Sequence, residues 1–240
     1  MKFLVIPDVH LKPWMFNDAE NAMNLLQKNH PNDSWNYVCL GDIPDDWGKQ
    51  GEDGLYRFTW DRAIKFAVDH PDALWCYGNH DVSYIWNRTE TGFSFHCQDI
   101  CRDGLRRLQL QVGENIQFLH LVDNVLFSHG GLCSDYVSRF VALKHRNNIP
   151  FVINRLNKLH ESDMWQDWSP LWFRPPVFES VKMYYPRKLL QVVGHTPTKE
   201  VYHRHGVVMC DSFSTDPSGV PYGTEQFVIV DTVTKEYYTV

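Results

Sequence analysis

Short apolar runs that break off abruptly into polar, ligand-type residues set the pattern of this chain. Residues 2–6 form one continuous apolar run, as expected of a strand covered on both faces, and it stops at Asp8-Val9-His10. Residues 35–40 form a second and end in Gly41-Asp42-Ile43-Pro44-Asp45-Asp46; residues 73–77 form a third and run into Gly78-Asn79-His80-Asp81. Between them, helical spacing predicts a helix capped by Asn17 or Asp18 and running to about residue 29, with Ala22, Leu25 and Leu26 as its apolar stripe. A second helix is expected over 54–69 with Leu55, Phe58, Ile64 and Val68 turned inward. The first eighty residues therefore read β-α-β-α-β, a right-handed parallel unit whose functional residues gather beyond the carboxyl ends of its strands.

Residues 82–112 interleave aromatic and charged side chains and yield no assignment. Residues 117–121 and 124–127 predict a hairpin, whose second strand runs into Ser128-His129-Gly130-Gly131. From 134 to about 160 the pattern is helical apart from a break before Pro150, and 165–185 is an irregular stretch rich in Trp and Pro. Residues 189–193 form a strand that ends in Gly194-His195-Thr196-Pro197, and the tail offers strands at 206–210, 226–231 and 236–240, which suit a second sheet. No repeat or linker interrupts residues 1–240, so a single domain is expected, with 132–188 as a partly helical insertion over the strand-end site.

Composition narrows the picture in three ways. At 240 residues and 43% hydrophobic the chain can bury one large core, and its nine Trp suggest pockets or a packed cap. A net charge of -6 lacks the basic footprint of a nucleic-acid binder, so an anionic substrate needs a local positive centre. No apolar run is long enough to span a bilayer, and the first residues are too quickly polar for a signal peptide, so a cytoplasmic location is expected. The six dispersed cysteines read as buried free thiols; Cys97 and Cys101 with His96 lack a fourth ligand for a metal site.

Collected from the strand ends, the candidates are Asp8, His10, Asp42, Asp45, Asn79, His80, His129 and His195. Each alone has an ordinary explanation as a turn residue or a satisfied histidine. Together, carboxylate, imidazole and amide suit divalent ions of intermediate hardness such as Mn, Fe or Zn. A carboxylate can bridge two such ions ~3.5–4 Å apart, and the pair serves phosphate ester hydrolysis well.

Asp8-x-His10, Gly41-Asp42-x-x-Asp45, Gly78-Asn79-His80-Asp81, Ser128-His129-Gly130-Gly131 and Gly194-His195 resemble, in order, the motif set of the calcineurin-like metallophosphoesterases. The resemblance runs from residue 8 to residue 197 and implies a four-layer α/β/β/α sandwich of two mixed sheets. It implies two divalent ions, Mn foremost and Fe or Zn otherwise: one held by Asp8, His10 and Asp42, the other by Asp42, Asn79, His129 and His195. It further implies His80 as general acid oriented by Asp45, and in-line attack on phosphorus by a metal-bound water.

Within that superfamily, His129-Gly130-Gly131 and Gly194-His195-Thr196-Pro197 are similar to the serine/threonine phosphatase and diadenosine tetraphosphatase branch. This implies a phosphoric monoester or anhydride substrate, either a phosphoprotein or a dinucleoside polyphosphate-like nucleotide. A nuclease of the same superfamily is the alternative, disfavoured by the acidic charge and by Pro197 where nuclease-like branches carry a further His. A non-catalytic interaction module is the other alternative. Arg174, in Leu171-Trp172-Phe173-Arg174, could clamp a phosphate oxygen or simply pack among its aromatic neighbours. Two departures bear on the substrate: Asp46 stands where the branch usually carries Arg, and Leu11 where it usually carries Gly.

Overall fold

A computed structural model describes residues 1–175 and 181–240. The first apolar runs form β1 (Lys2–Ile6), β2 (Trp35–Cys39) and β3 (Leu74–Cys76), joined in parallel by α1 (Trp14–Asn29) and α2 (Asp53–Asp69). Next come α3 (Asn79–Trp86) and α4 (Gln98–Val112), followed by β4 (Ile116–Gln117), which extends the parallel set beside β3. The hairpin strands β5 (Leu119–Val122) and β6 (Val125–Ser128) open a second sheet. After the short helices α5 (Ser134–Phe140), α6 (Ile149–Leu156) and α7 (Glu161–Met164), that sheet continues with β7 (Leu190–Val193), β8 (Tyr202–Arg204) and β9 (Val207–Met209). The chain closes with β10 (Val228–Asp231) and β11 (Tyr237–Thr239).

The six-stranded sheet has the order β11-β10-β1-β2-β3-β4 and the five-stranded sheet β5-β6-β7-β9-β8; each mixes parallel and antiparallel pairs. Alternation along β1 explains the stacking. Phe3 and Val5 point between the sheets, where they meet Phe127, Val192 and Val208, whereas Leu4 and Ile6 face Met15, Phe16, Trp60 and Phe66 of α1 and α2. On the far side, Leu126, Val193 and Met209 pack against Tyr136, Val137, Val152 and Leu156. Three cores thus separate four layers, helices, sheet, sheet and helices, in an α/β sandwich. Of the expected insertion 132–188, α5–α7 supply that outermost layer, Trp172 and Arg174 line the strand-end cavity, and 176–180 lie outside the described residues.

Several local expectations are corrected. Helix α1 begins at Trp14 behind Pro13 rather than at Asn17 or Asp18, because the Asn17 Oδ1 is taken by the Arg62 Nε at 2.7 Å. In α2 the buried face is Tyr56, Thr59, Trp60, Ala63, Phe66 and Ala67, while Phe58 and Val68 are exposed. Two stripes meet helical spacing there, and the larger aromatic one is buried. The unassigned stretch holds α3 and α4, whose packing against α2 through Leu105 and Leu108 was masked by interleaved charges. The tail divides between the sheets: β8 and β9 join the second, but β10 and β11 pair beside β1 in the first. All six cysteines are free and buried, as composition suggested.

Candidate metal centre

Five strand ends, those of β1, β2, β3, β6 and β7, deliver Asp8 and His10, Asp42 and Asp45, Asn79 and His80, His129, and His195 to one place. The loops are locked to each other through the backbone. The Val9 and His10 N–H groups donate to the Asp42 carbonyl at 3.1 and 2.8 Å, and the His195 N–H donates to Asp8 Oδ2 at 2.8 Å. Close approach requires glycine at two points: a Cβ on Gly78 would lie 2.7 Å from the Asp42 Cγ, and one on Gly194 would lie 3.1 Å from the Asp8 Cγ. Left-handed backbone recurs here at His10, Leu11, Asp42, Asp45 and His195. The unusual Leu11 thus holds a conformation that suits glycine, at a cost of about 1 kcal/mol or more, and its buried side chain packs beside Tyr56 and Tyr84.

Three histidines share one device. His10 Nδ1 donates to the Asp45 carbonyl at 2.8 Å, His129 Nδ1 to the Leu40 carbonyl at 2.9 Å, and His195 Nε2 to the Trp172 carbonyl at 3.1 Å. A main-chain acceptor on one ring nitrogen orients the ring and points the other nitrogen at the site, as in metal-ligating histidines. Those other nitrogens converge on the Asp42 group. Its Oδ2 lies 3.8 Å from His10 Nε2 and 3.2 Å from His129 Nε2, which in turn lies 3.0 Å from His195 Nδ1 and 2.8 Å from Asn79 Oδ1.

Electrostatics fit a cation at this point. Asp8 and Asp42 are 1% exposed, and among the described residues Asp8 Oδ1 has no hydrogen-bond partner. Burial raises the Asp8 carboxyl well above its usual range, and Asp211 adds to the rise. Burial would raise Asp42 too, yet His129 and His80 hold it below the usual carboxylate range. His129 is pushed up to about 9: burial opposes its charge, but Asp42 and Asp8 outweigh burial. Burial depresses His10 to about 4 and His195 well below the ordinary value, which keeps both neutral and able to ligate. Two buried carboxylates thus draw positive charge onto their neighbours, the condition a divalent ion would relieve, and the oxygen and imidazole donors suit such ions. Ligand atoms of Asp42, His129 and His195 lie within 4.8 Å of one another, as do those of His10, Asp42 and His80.

His80 is distinguished from the other three by its partner. Its Nδ1 donates to a carboxylate, Asp45 Oδ2 at 2.9 Å, rather than to a neutral carbonyl. Burial works against its charge, but Asp42, Glu90 and Asp45 push it up to about 10, so the ring is an imidazolium that carries a proton instead of offering a lone pair. Asp45 is itself held by Tyr56 and Tyr84, whose hydroxyls donate to its Oδ1 at 2.7 and 2.5 Å.

A cavity of about 350 Å³ opens over this cluster and is lined also by Trp47, Trp172, Arg174 and Thr215. One arm of Arg174 donates to the His195 carbonyl, and the residue reaches the cavity beside it. Asp46 is consumed locally, accepting from Thr215 Oγ1 at 2.5 Å and facing the buried Lys12 ammonium at 3.5 Å. Trp14 packs against Phe213, and His203 and His205 are exposed on and after β8.

Three further acidic residues stand at the site: Asp81, which belongs to the third strand-end motif, and Asp211 and Glu90, which the sequence did not single out. Asp81 accepts from the N–H groups of Asp42 and Gly78 through Oδ2 (2.9 and 2.8 Å) and of Ile43 through Oδ1 (2.9 Å), latching the β2 loop to the β3 loop. Asp211, buried in the cavity wall after β9 and held by Ser214, follows a strand end as the others do, so the same signal would have found it. Glu90 lies in the unassigned stretch, where no pattern marked it.

The family model described as calcineurin-like phosphoesterase matches residues 1–199. Among curated proteins none matches the chain. Solved structures with a similar fold include a cold-active protein-tyrosine phosphatase of a psychrophilic Shewanella species, at 17% identity and a TM-score of 0.57, covering 99% of this chain and 80% of that one. A protein serine/threonine phosphatase from Saccharomyces cerevisiae with similarity to human phosphatase PP5 aligns at 17% identity and a TM-score of 0.56, over 96% of this chain and 72% of that one. A hypothetical protein from Pyrococcus horikoshii shares the fold at 12% identity and a TM-score of 0.52, over 100% of this chain and 86% of that one.

Proposed function

Since the chain belongs to the calcineurin-like phosphoesterase family, we propose that it hydrolyses a phosphoric monoester or anhydride using two divalent ions, Mn foremost, held in this cavity. The observation that carries the reading is the position of Asp42, whose ligand atoms belong to two histidine groups at once. Asp8, His10 and Asp42 would hold one ion, and Asp42, Asn79, His129 and His195 the other. Bound there, the ions would lower the pKa of a water and neutralise charge on the phosphoryl group.

The chain's own residues supply the rest. His80 holds a proton at the cavity wall and would donate it to the leaving oxygen, with Asp45 keeping the ring in orientation and Tyr56 and Tyr84 keeping Asp45 in place. Arg174 would bind a phosphoryl oxygen with the part of its guanidinium not engaged by the His195 carbonyl. Trp47 and Trp172 flank the cavity and would exclude water beside the leaving group. A phosphoprotein or a dinucleoside polyphosphate-like nucleotide is the substrate class these features suit.

Protein loaded with Mn should hydrolyse an aryl phosphate and at least one of a phosphopeptide, a dinucleoside polyphosphate or a mononucleotide. Two bound ions with no turnover of any of these would overturn the reading in favour of an interaction module. Asp42→Asn should lower the occupancy of both ions; a variant that keeps two ions at full occupancy contradicts the shared position.

A further inference from the structure

One buried carboxylate in the cavity, which helps to keep His80 charged, is not among the assigned ligands. Glu90 lies in the connection between α3 and α4, with its side chain 8% exposed. Its Oε2 accepts a hydrogen bond from Asn79 Nδ2, while Oε1 is buried, among the described residues without a hydrogen-bond partner, 3.8 Å from His80 Nδ1. We infer that Glu90 is a positioning residue for the second metal subsite, fixing which end of the Asn79 amide faces the ion. The inference rests on the dinuclear reading above.

The oxygen and NH₂ ends of an asparagine are nearly the same size, yet only the oxygen can bind a cation. The main chain cannot choose between them: Asn79 is the first residue of α3, and rotation about its last side-chain bond exchanges the ends without moving the backbone. Neighbours must choose. On one side the Asn79 Oδ1 faces His129 Nε2 at 2.8 Å, within the donor group around Asp42. On the other side stands Glu90, whose Oε2 already accepts the hydrogen bond of the NH₂ end and so offers an acceptor, which the oxygen end cannot satisfy. In the flipped amide two buried oxygen acceptors would confront each other, and a buried acceptor left without a donor costs about 1–3 kcal/mol.

A second effect has the same sign. An amide whose N–H donates to a carboxylate is polarised, which places more negative charge on its carbonyl oxygen and strengthens it as a ligand. The unpartnered Oε1 supports a role in the site over one in packing. A carboxylate that served only to close the loop would be expected to satisfy both oxygens, whereas here one is left bare beside the cavity.

The test is metal binding rather than turnover. Equilibrium dialysis against Mn alone, with the bound metal counted and the spin-coupled pair followed by electron paramagnetic resonance, should find two ions in the wild type. Glu90→Ala should hold the first ion unchanged and the second roughly 10- to 100-fold more weakly, the range seen when such outer partners are removed. Glu90→Gln, which still offers an amide oxygen to Asn79, should recover most of that loss. Asn79→Asp supplies the contrast: its two oxygens are equivalent and need no orienting, so adding Glu90→Ala to it should leave the second ion's affinity unchanged or tighter. If Glu90→Ala misfolds by near-ultraviolet circular dichroism, Glu90→Leu gives the same comparison with the volume kept. Wild-type affinity for the second ion in Glu90→Ala or Glu90→Leu overturns the inference, as does an equal loss in the Asn79→Asp background. A wild type that binds a single Mn overturns the dinuclear reading and this inference with it.

Discussion

At the scale of residues, the chemistry is decided by what each histidine ring is bonded to. His10, His129 and His195 rest on main-chain carbonyls, and each turns its other ring nitrogen toward the Asp42 group, whereas His80 rests on a carboxylate and keeps a proton. Removing that proton donor should be specific: His80→Ala is expected to lower kcat by roughly 10²–10⁴-fold with two ions still bound. Turnover at the wild-type rate would end the acid assignment. The second prediction concerns pH. In the proposed role His80 acts protonated, so activity should fall as pH rises through its pKa, and Asp45 is among the groups that raise that value. In Asp45→Asn the alkaline limb of the kcat profile should therefore move to lower pH; an unmoved limb would show that another group sets it. The residue types and their order were legible in the sequence, but which ring nitrogen is engaged was not. That depends on carbonyls at Leu40, Asp45 and Trp172, which are distant in the chain from the rings they hold.

Elements place these side chains by ending. Each parallel strand stops where its apolar run stops, and the loops that follow are held to each other by buried hydrogen bonds rather than by their own lengths. Asp81 contributes most directly, since its carboxylate joins the first turn of α3 to the loop after β2 through three N–H groups. Asp81→Ala should strand those donors and cost roughly 3 kcal/mol or more in unfolding free energy. The same change should weaken metal binding because Asp42 loses its anchor. Denaturant unfolding read beside a metal titration checks both, and an intact midpoint would assign the latch elsewhere. The strand ends were visible because short apolar runs and glycine turns are local signals. Helix α4 was not, because charges on its exposed face obscured Leu105 and Leu108, which face α2. Nor was the buried face of α2, where two stripes compete and only the packed neighbours decide.

For the whole molecule, the coupling of the two sheets is the matter of consequence, because Asp8, Asp42 and Asn79 follow strands of one sheet while His129 and His195 follow strands of the other. His120 on β5 ties the sheets together, its Nε2 donating to the Trp75 carbonyl of β3 at 2.8 Å. Burial lowers its pKa, so between the lowered folded value and the ordinary value near 6.5 the unfolded chain binds more protons. Its contribution to stability is present in full above about pH 6.5 and declines as the pH falls below that. His120→Gln can keep the bond without titrating, and should lose less stability than the wild type between about pH 7 and pH 5 in thermal unfolding. Parallel losses would refute the link. The sequence by itself determined the parallel first unit, the strand-end residues and the family, because apolar runs, turns and ligand-type residues are written within a few positions of one another. Only the tertiary structure decided that β10 and β11 return to the first sheet, that Glu90 stands at the site, and which carbonyl or carboxylate each histidine ring is bonded to. Each of those outcomes depends on groups far apart in the chain, whose contacts exist only once both sheets have closed on their cores.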